Sequence, residues 1–168
     1  GKMGAAILCA TACIRCGAGL TTLHIPEAGI IAANTAIPEA MTIAYDKKGK
    51  SEFNQGEFSS IAFGPGIGTN ESASLLLLRL LKKSMAPAVF DADALNIIAA
   101  EKKSWQLIPK DSIITPHLKE FERLAGTTNN WLERHRLQLT MSRTHGIYIV
   151  LKGAATCITT PDGLSFFN

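Results

Sequence analysis

The sequence lacks most of the features that would decide its role at once. Its first apolar stretch is broken at Arg15, well short of the about 18 apolar residues that mark a membrane span. That stretch is not expected to be a signal peptide either, and no membrane partner is expected. The lysine pairs Lys47–Lys48, Lys82–Lys83 and Lys102–Lys103 are scattered and have no aromatics between them, and the net charge is only +3. This pattern describes solvated faces and argues against a nucleic-acid groove. No Walker A, G-x-S-x-G or H-E-x-x-H sequence is present, which removes the P-loop, serine-hydrolase and zincin readings. There is no internal repeat, low-complexity tract or linker. The four cysteines form no disulfide framework, so a reducing, cytoplasmic setting is expected.

What is present supports one buried core. A chain of 168 residues with 46% hydrophobic content is long enough to fold as a single domain over residues 1–168. Short β-rich runs alternate with helical stretches, the pattern of an α/β layered domain. "LTTLHI", "AMTIAY" and "SIAFGPGIG" read as strands, the third running into a glycine loop. "NESASLLLLRLLKKS" reads as a helix capped by Asn70, with Glu71 at its positive end and Lys82 and Lys83 at its negative end. "PAVFDADAL" and "DSIITPHLKEFERLA" each read as a strand leading into a helix. A long helix comes next, from Asn130 to His145, and then two or three strands that turn at Pro161-Asp162-Gly163.

Near the start, Cys9, Cys13 and Cys16 are spaced by four and three residues, which places them on one helical face. Ala5, Ala6, Ile7, Leu8, Ala12 and Ile14 surround them, so the segment reads as a buried helix ending at Gly17. In that reading the thiols pack like small apolar groups. An iron–sulfur cluster would need irregular backbone and a fourth ligand, and Cys157 lies far away in a strand-like run. No residue is assigned to a resident metal.

Chemistry in open parallel sheets sits beyond the carboxyl ends of the strands, and four stretches fall there. In "FGPGIGTN", Gly64, Gly66 and Gly68 either bring backbone N–H groups to a phosphate or ribose, or make a tight turn. In "VFDADALN", Asp91 and Asp93 can face a magnesium–phosphate group or a substrate hydroxyl. Asp93 can instead cap the next helix by accepting from the Asn96 N–H, whereas Asp91, attached to a buried strand, needs a partner. In "IITPHLKEFERL", Thr115 as cap and Pro116 as first helical residue start a helix whose buried stripe is Leu118, Phe121, Leu124 and Ala125. His117 and Glu120 then share another face, as ligand-binding groups or as an exposed pair. Lys152 in "VLKGAAT" either meets phosphate as a point charge or merely ends a strand. His24, His135 and His145 receive no role.

Taken in order, "GKMGAAIL…RCGAGLTTLHIP", "PEAM", "GPGIGTN", "VFDADALN", "IITPHLKEFERL", "YIVLKGAATCITTPDG" and "FFN" resemble the ADP/ATP-dependent NAD(P)H-hydrate dehydratases, of ribokinase-like fold. The resemblance implies a three-layer α/β/α domain with a mostly parallel central sheet. It also implies an enzyme, a lyase of metabolite repair, that phosphorylates the C6 hydroxyl of hydrated NADH or NADPH and eliminates phosphate, using ADP or ATP with Mg2+. Ala5, Gly66 and His117 match positions that contact the hydrated dinucleotide. Lys152, Gly153, Ala154, Ala155 and Thr156 match the nucleotide-phosphate segment. Asp93 and Glu120 match polar positions of the same cleft and are possible catalytic contributors.

Against the family pattern, this chain carries cysteines in its first helix, and Leu118 and Lys119 where proline and glycine usually come after "TPH". The family's glycine-rich anion hole and its catalytic aspartate are expected beyond Asn168, and a strand is expected before Gly1. The resemblance therefore reads the chain as incomplete at both ends, part of a longer enzyme that forms homo-oligomers and is fused to, or works with, an NAD(P)H-hydrate epimerase. A vitamin-precursor alcohol kinase of the same fold and a non-catalytic nucleotide-binding module are the competing readings.

Overall fold

The computed structural model of the chain describes residues 2–46, 54–83 and 86–168. The pair Lys47–Lys48 lies outside the described residues.

The first helix, α1 (Met3–Arg15), ends as the sequence predicts. Gly17 sits at φ 97°, its N–H donates to the Ile14 carbonyl, and the Ala18 N–H donates to the Cys13 carbonyl. This is a Schellman stop, in which glycine takes the left-handed position at no steric cost. The helix is not buried around its cysteines, however. Ala10 is its one buried residue, and Met3, Ala6, Ile7 and Ile14 pack beside it on Leu23, Ile25, Ala33 and Ile37. At about 100° per residue that stripe lies roughly a third of a turn from the cysteine face. Cys13 and Cys16 are accordingly exposed and Cys9 is half-buried, which corrects the reading of three core thiols.

Thiol labelling checks this orientation. A thiol reagent should modify Cys13 and Cys16 rapidly in the folded protein. Cys9 should react slowly, since burial and then the Asp91 charge push its thiol pKa up. Cys157, whose thiol burial also pushes up, should react only on unfolding. Protection of Cys13 and Cys16 to the level of Cys157 would restore the buried-helix reading.

After α1 come β1 (Thr22–Pro26), α2 (Ile30–Ala36) and β2 (Met41–Tyr45), with β1 and β2 paired in parallel, Thr22 opposite Met41. The larger part of the chain runs β3 (Ile61–Phe63), α3 (Glu71–Lys83), β4 (Ala88–Phe90), α4 (Asp93–Ala100), β5 (Ile113–Ile114), α5 (Leu118–Ala125), α6 (Trp131–His145), β6 (Tyr148–Leu151), β7 (Cys157–Thr159) and β8 (Ser165–Phe167). Its short strands make a sheet of order β3-β4-β5-β6-β7-β8. The sheet is parallel from β3 to β6 and antiparallel from β6 to β8. The α/β architecture with a mostly parallel sheet and helices around it is thus observed. Right-handed crossovers between strands that succeed one another in one direction put the intervening helices on one face.

Leu77, Leu95, Ile98, Ile114, Phe121, Ile147 and Ile149 are fully buried between those helices and the sheet. Gln138 of α6, also fully buried, donates from Nε2 to the carbonyls of Ile149 and Cys157, which fastens the helix across β6 and β7. Asn70 caps α3 by accepting the Ala73 N–H at 2.9 Å. Among the described residues no helix is long and apolar enough to cross a membrane.

Two expectations for α5 need correction. Its N-cap is His117, so Thr115 and Pro116 precede the helix, and Leu118 is exposed while Phe121 is fully buried. The shift arises because β5 continues past Ile114 in an extended path: His117 forms a parallel bridge to Lys152, and the Lys152 N–H donates to the Pro116 carbonyl.

Candidate functional site

The parallel register sets Phe63 opposite Phe90, Phe90 opposite Ile114, and Ile114 opposite Ile149. The four strands therefore end in a row, and the residues just beyond them share one edge of the sheet: Gly64, Asp91, Thr115 to His117, and Lys152. The Asp91 N–H donates to the Phe63 carbonyl and the Thr115 N–H to the Phe90 carbonyl, extending the ladder to that edge.

The glycine loop is shaped by close approaches. Gly64 has φ 132°, and a Cβ there would fall into the backbone of Asp91. Gly66, at φ 78°, seats the start of α1: a Cβ would lie 2.6 Å from the Lys2 carbonyl and 3.2 Å from the Ala5 Cβ. Gly68, at φ 79°, faces open space, and its N–H donates to Asp93 Oδ2 at 2.9 Å. The loop makes a tight turn that packs Gly66 against Ala5.

In a regular strand Asp91 and Asp93 would share a face. Ala92 between them sits at φ 50°, ψ −119°, a strained conformation for a residue with a Cβ. The two carboxylates have different partners. Asp91 Oδ1 accepts from Lys152 Nζ at 2.7 Å, the partner that a carboxylate on a buried strand requires. Asp93, only 9% exposed, accepts from Gly68 and, at 3.1 Å, from Lys2 Nζ. It does not cap α4: the N-cap is Ala92, without a side-chain bond, and the Asn96 N–H donates to the Ala92 carbonyl.

His117 and Glu120 form a capping box. The Glu120 N–H donates to His117 Nδ1 at 3.3 Å, and Glu120 Oε2 accepts the His117 N–H at 2.8 Å. The imidazole Nε2 lies 3.4 Å from Glu120 Oε1. Glu120 is 5% exposed, so the exposed-pair reading fails: the carboxylate is an interior brace for a half-exposed imidazole. Residues 153–156 form a surface loop closed at its end by paired backbone bonds between Thr156 and Asn168.

Lys2 escapes a reading of the sequence, since no local pattern could reveal a pairing across 91 residues. Cys9 reads there only as packing, yet its thiol feels the charges of Asp91 and Lys152. An open cleft of about 1120 Å³ separates β1 from β3 and reaches the glycine loop, Lys2 and Cys9, but its lining does not include His117 or Lys152. In it His24, whose pKa burial lowers, meets the Tyr45 ring edge-on at 5.0 Å. Among the described residues no group of three or more His, Cys, Asp or Glu side chains could hold a metal ion.

A family model described as NAD(P)H-hydrate dehydratase matches residues 1–168. The chain is 33% identical to the bifunctional NAD(P)H-hydrate repair enzyme Nnr of Moorella thermoacetica, over 100% of this chain and 34% of that protein. It is 39% identical to the ADP-dependent (S)-NAD(P)H-hydrate dehydratase of Streptococcus thermophilus, over 73% of this chain and 45% of that protein. A structure of the ADP/ATP-dependent NAD(P)H-hydrate dehydratase of Bacillus subtilis, co-crystallised with ATP/Mg2+ and soaked with CoA, superposes with a TM-score of 0.78. It is 28% identical and covers 99% of this chain and 61% of that one. A ribokinase-like superfamily protein of Enterococcus faecalis, 25% identical, superposes with a TM-score of 0.79 over 98% of this chain and 58% of its own. The chain thus spans about a third of the length of the bifunctional relatives and about three-fifths of that of the solved structures.

Proposed function

The chain belongs to the NAD(P)H-hydrate dehydratase family, and from that membership we propose that the full-length protein returns hydrated NADH and NADPH to NADH and NADPH, consuming ADP or ATP. The observation that carries this reading is the bridge between His117 and Lys152. His117 matches a dinucleotide-contacting position and Lys152 a nucleotide-phosphate position, and they are backbone neighbours across β5 and β6. Phosphoryl transfer needs its donor phosphate and acceptor hydroxyl held in line and within reach, and the bridge supports a reading in which the two groups bind side by side.

In the proposed reaction, Lys152 and the N–H groups of residues 153–156 hold the phosphates of the nucleotide, Lys152 as a point charge kept in place by Asp91. Ala5, Gly66 and His117 contact the hydrated dinucleotide. The bond between the terminal phosphorus and the nucleotide's bridging oxygen breaks as that phosphoryl group passes to the C6 hydroxyl oxygen, the shortened nucleotide leaves with the bridging oxygen, and the hydroxyl proton goes to water. Phosphate then leaves C6 with the C–O bonding pair, the adjacent ring carbon gives up a proton to water, and the electrons of that C–H bond restore the double bond of the ring. Asp93 and Glu120, both committed to neighbouring groups, contribute by holding this arrangement.

A Mg2+ ion bound chiefly by nucleotide phosphates and water needs only one or two protein carboxylates. Asp91, partly exposed beside Lys152, fits as that oxygen donor, and such an ion supplies neutralisation of phosphate charge. The name "bifunctional" among the relatives supports a second activity in the same protein, which we assign to an epimerase. Self-association is part of this reading, carried over from the family resemblance.

Full-length protein mixed with hydrated NADH should regain the NADH absorbance only when ADP or ATP is added. Lys152→Ala should raise the KM for the nucleotide by on the order of tenfold to a hundredfold, the loss of one charge-assisted contact, and leave the KM for hydrated NADH nearly unchanged. Nucleotide consumption without recovery of NADH would indicate a kinase.

A further inference from the structure

Asp93 is the meeting point of three segments that are far apart in sequence. It stands in the first turn of α4, and the four apolar residues Ala94, Leu95, Ile97 and Ile98 of that helix are buried in the core. Its carboxylate is therefore fixed. From it hang the end of the glycine loop, through the Gly68 N–H at 2.9 Å, and the start of α1, through Lys2 Nζ at 3.1 and 3.4 Å. The same two segments touch each other directly, since Gly66 packs against the Lys2 carbonyl and Ala5. The residue before Asp93, Ala92, holds a conformation that L-residues rarely adopt. Such strain persists only where the surroundings impose it, and it clusters where geometry matters for function.

Resting on the dinucleotide reading of the site, we propose that Asp93 is a positioning residue for the hydrated dinucleotide: through Gly68 and Lys2 it holds the Ala5 and Gly66 contacts at a fixed separation. It acts through other groups and takes no proton from the substrate. The two bonds do not weigh equally. Lys2 is 64% exposed at its side chain, and ion pairs in that setting contribute little. The bond from Gly68 is shielded at a nearly buried carboxylate, and charge-assisted bonds of that kind are the stronger ones. The acceptor oxygen, more than the negative charge, is what the site needs.

The ordering of variants tests this. Asp93→Ala should raise the dissociation constant and the KM for hydrated NADH by on the order of tenfold, the loss of one backbone-anchoring bond, with the KM for ADP changed less than about twofold. Asp93→Asn retains an oxygen that accepts from Gly68 and should recover most of that loss. Lys2→Met should behave like Asp93→Asn. Asp93→Ser, one atom shorter yet still polar, should resemble Asp93→Ala and serves if the alanine variant does not fold. Amide exchange at Gly68 should accelerate in the alanine and serine variants and stay slow in the asparagine variant.

A fall in kcat with both KM values fixed, not relieved in Asp93→Asn, would overturn the assignment in favour of a proton-transfer role. Equal effects on both KM values together with lost stability would overturn it in favour of a merely structural one. If wild-type protein binds hydrated NADH by calorimetry and Asp93→Ala binds it equally well, the assignment alone fails. If wild-type protein binds none, the dinucleotide reading fails and the assignment with it.

Discussion

Gly64→Ala should be among the most damaging single substitutions in the chain, because it combines two costs at one position. A φ of 132° is open to glycine and not to alanine, and forcing an L-residue to positive φ costs about 1–2 kcal/mol. The added Cβ would also drive into the backbone of Asp91 and meet Ala94 at 2.9 Å, and overpacking of this kind costs roughly 1–3 kcal/mol more. Gly68→Ala is the internal control: it shares the positive φ, but its Cβ would enter open space, so only the first cost applies. Denaturant unfolding of the two variants should show Gly64→Ala to be the less stable by more than about 1 kcal/mol. On the repair reading, the dehydratase activity of the full-length protein should be lost with it, since the clash falls on the backbone of Asp91, the partner of Lys152. Equal stabilities would mean that the loop does not lie against Asp91.

Glu120→Ala is the second large effect. The buried carboxylate accepts the His117 N–H at 2.8 Å and braces the imidazole. Its removal dismantles the capping box and strands a backbone donor, a loss of roughly 1–3 kcal/mol. On the proposed reading of His117, the freed imidazole should also raise the KM of the full-length protein for hydrated NADH. Glu120→Gln keeps an amide oxygen for the His117 N–H and should stay within about 1 kcal/mol of wild type. If Glu120→Ala were as stable as Glu120→Gln, the carboxylate would not be the brace that its burial implies.

Local patterns carry much of this fold. The cap at Asn70, the stop at Gly17 and the strand-to-helix steps through "VFDADALN" and "IITPHLKEFERL" all come from short-range chemistry visible in the sequence, and so does the turn at Pro161-Asp162-Gly163. The hidden features depend on partners brought together by the fold. Asp93 reads as a helix cap in isolation, because only the packed structure delivers Gly68 and Lys2 to it. The start of α5 slips past Pro116 because a bridge to Lys152 keeps the chain extended as far as His117.

The cysteine face of α1 misleads for a different reason. Two apolar stripes are possible in that alanine-rich helix, and the one through Met3, Ala6, Ala10 and Ile14 is chosen by Leu23, Ile25 and Ala33, residues outside it. Carboxylates with two possible roles, and helices with two possible faces, are resolved by tertiary contact and not by spacing.

The most direct test of the repair reading is the stoichiometry of the coupled reaction. Full-length protein, hydrated NADH and ADP or ATP with Mg2+ should release one orthophosphate for each NADH restored, in step throughout the time course. A phosphate ester that accumulates while the NADH absorbance stays absent, or nucleotide that binds and is never consumed, would contradict the account.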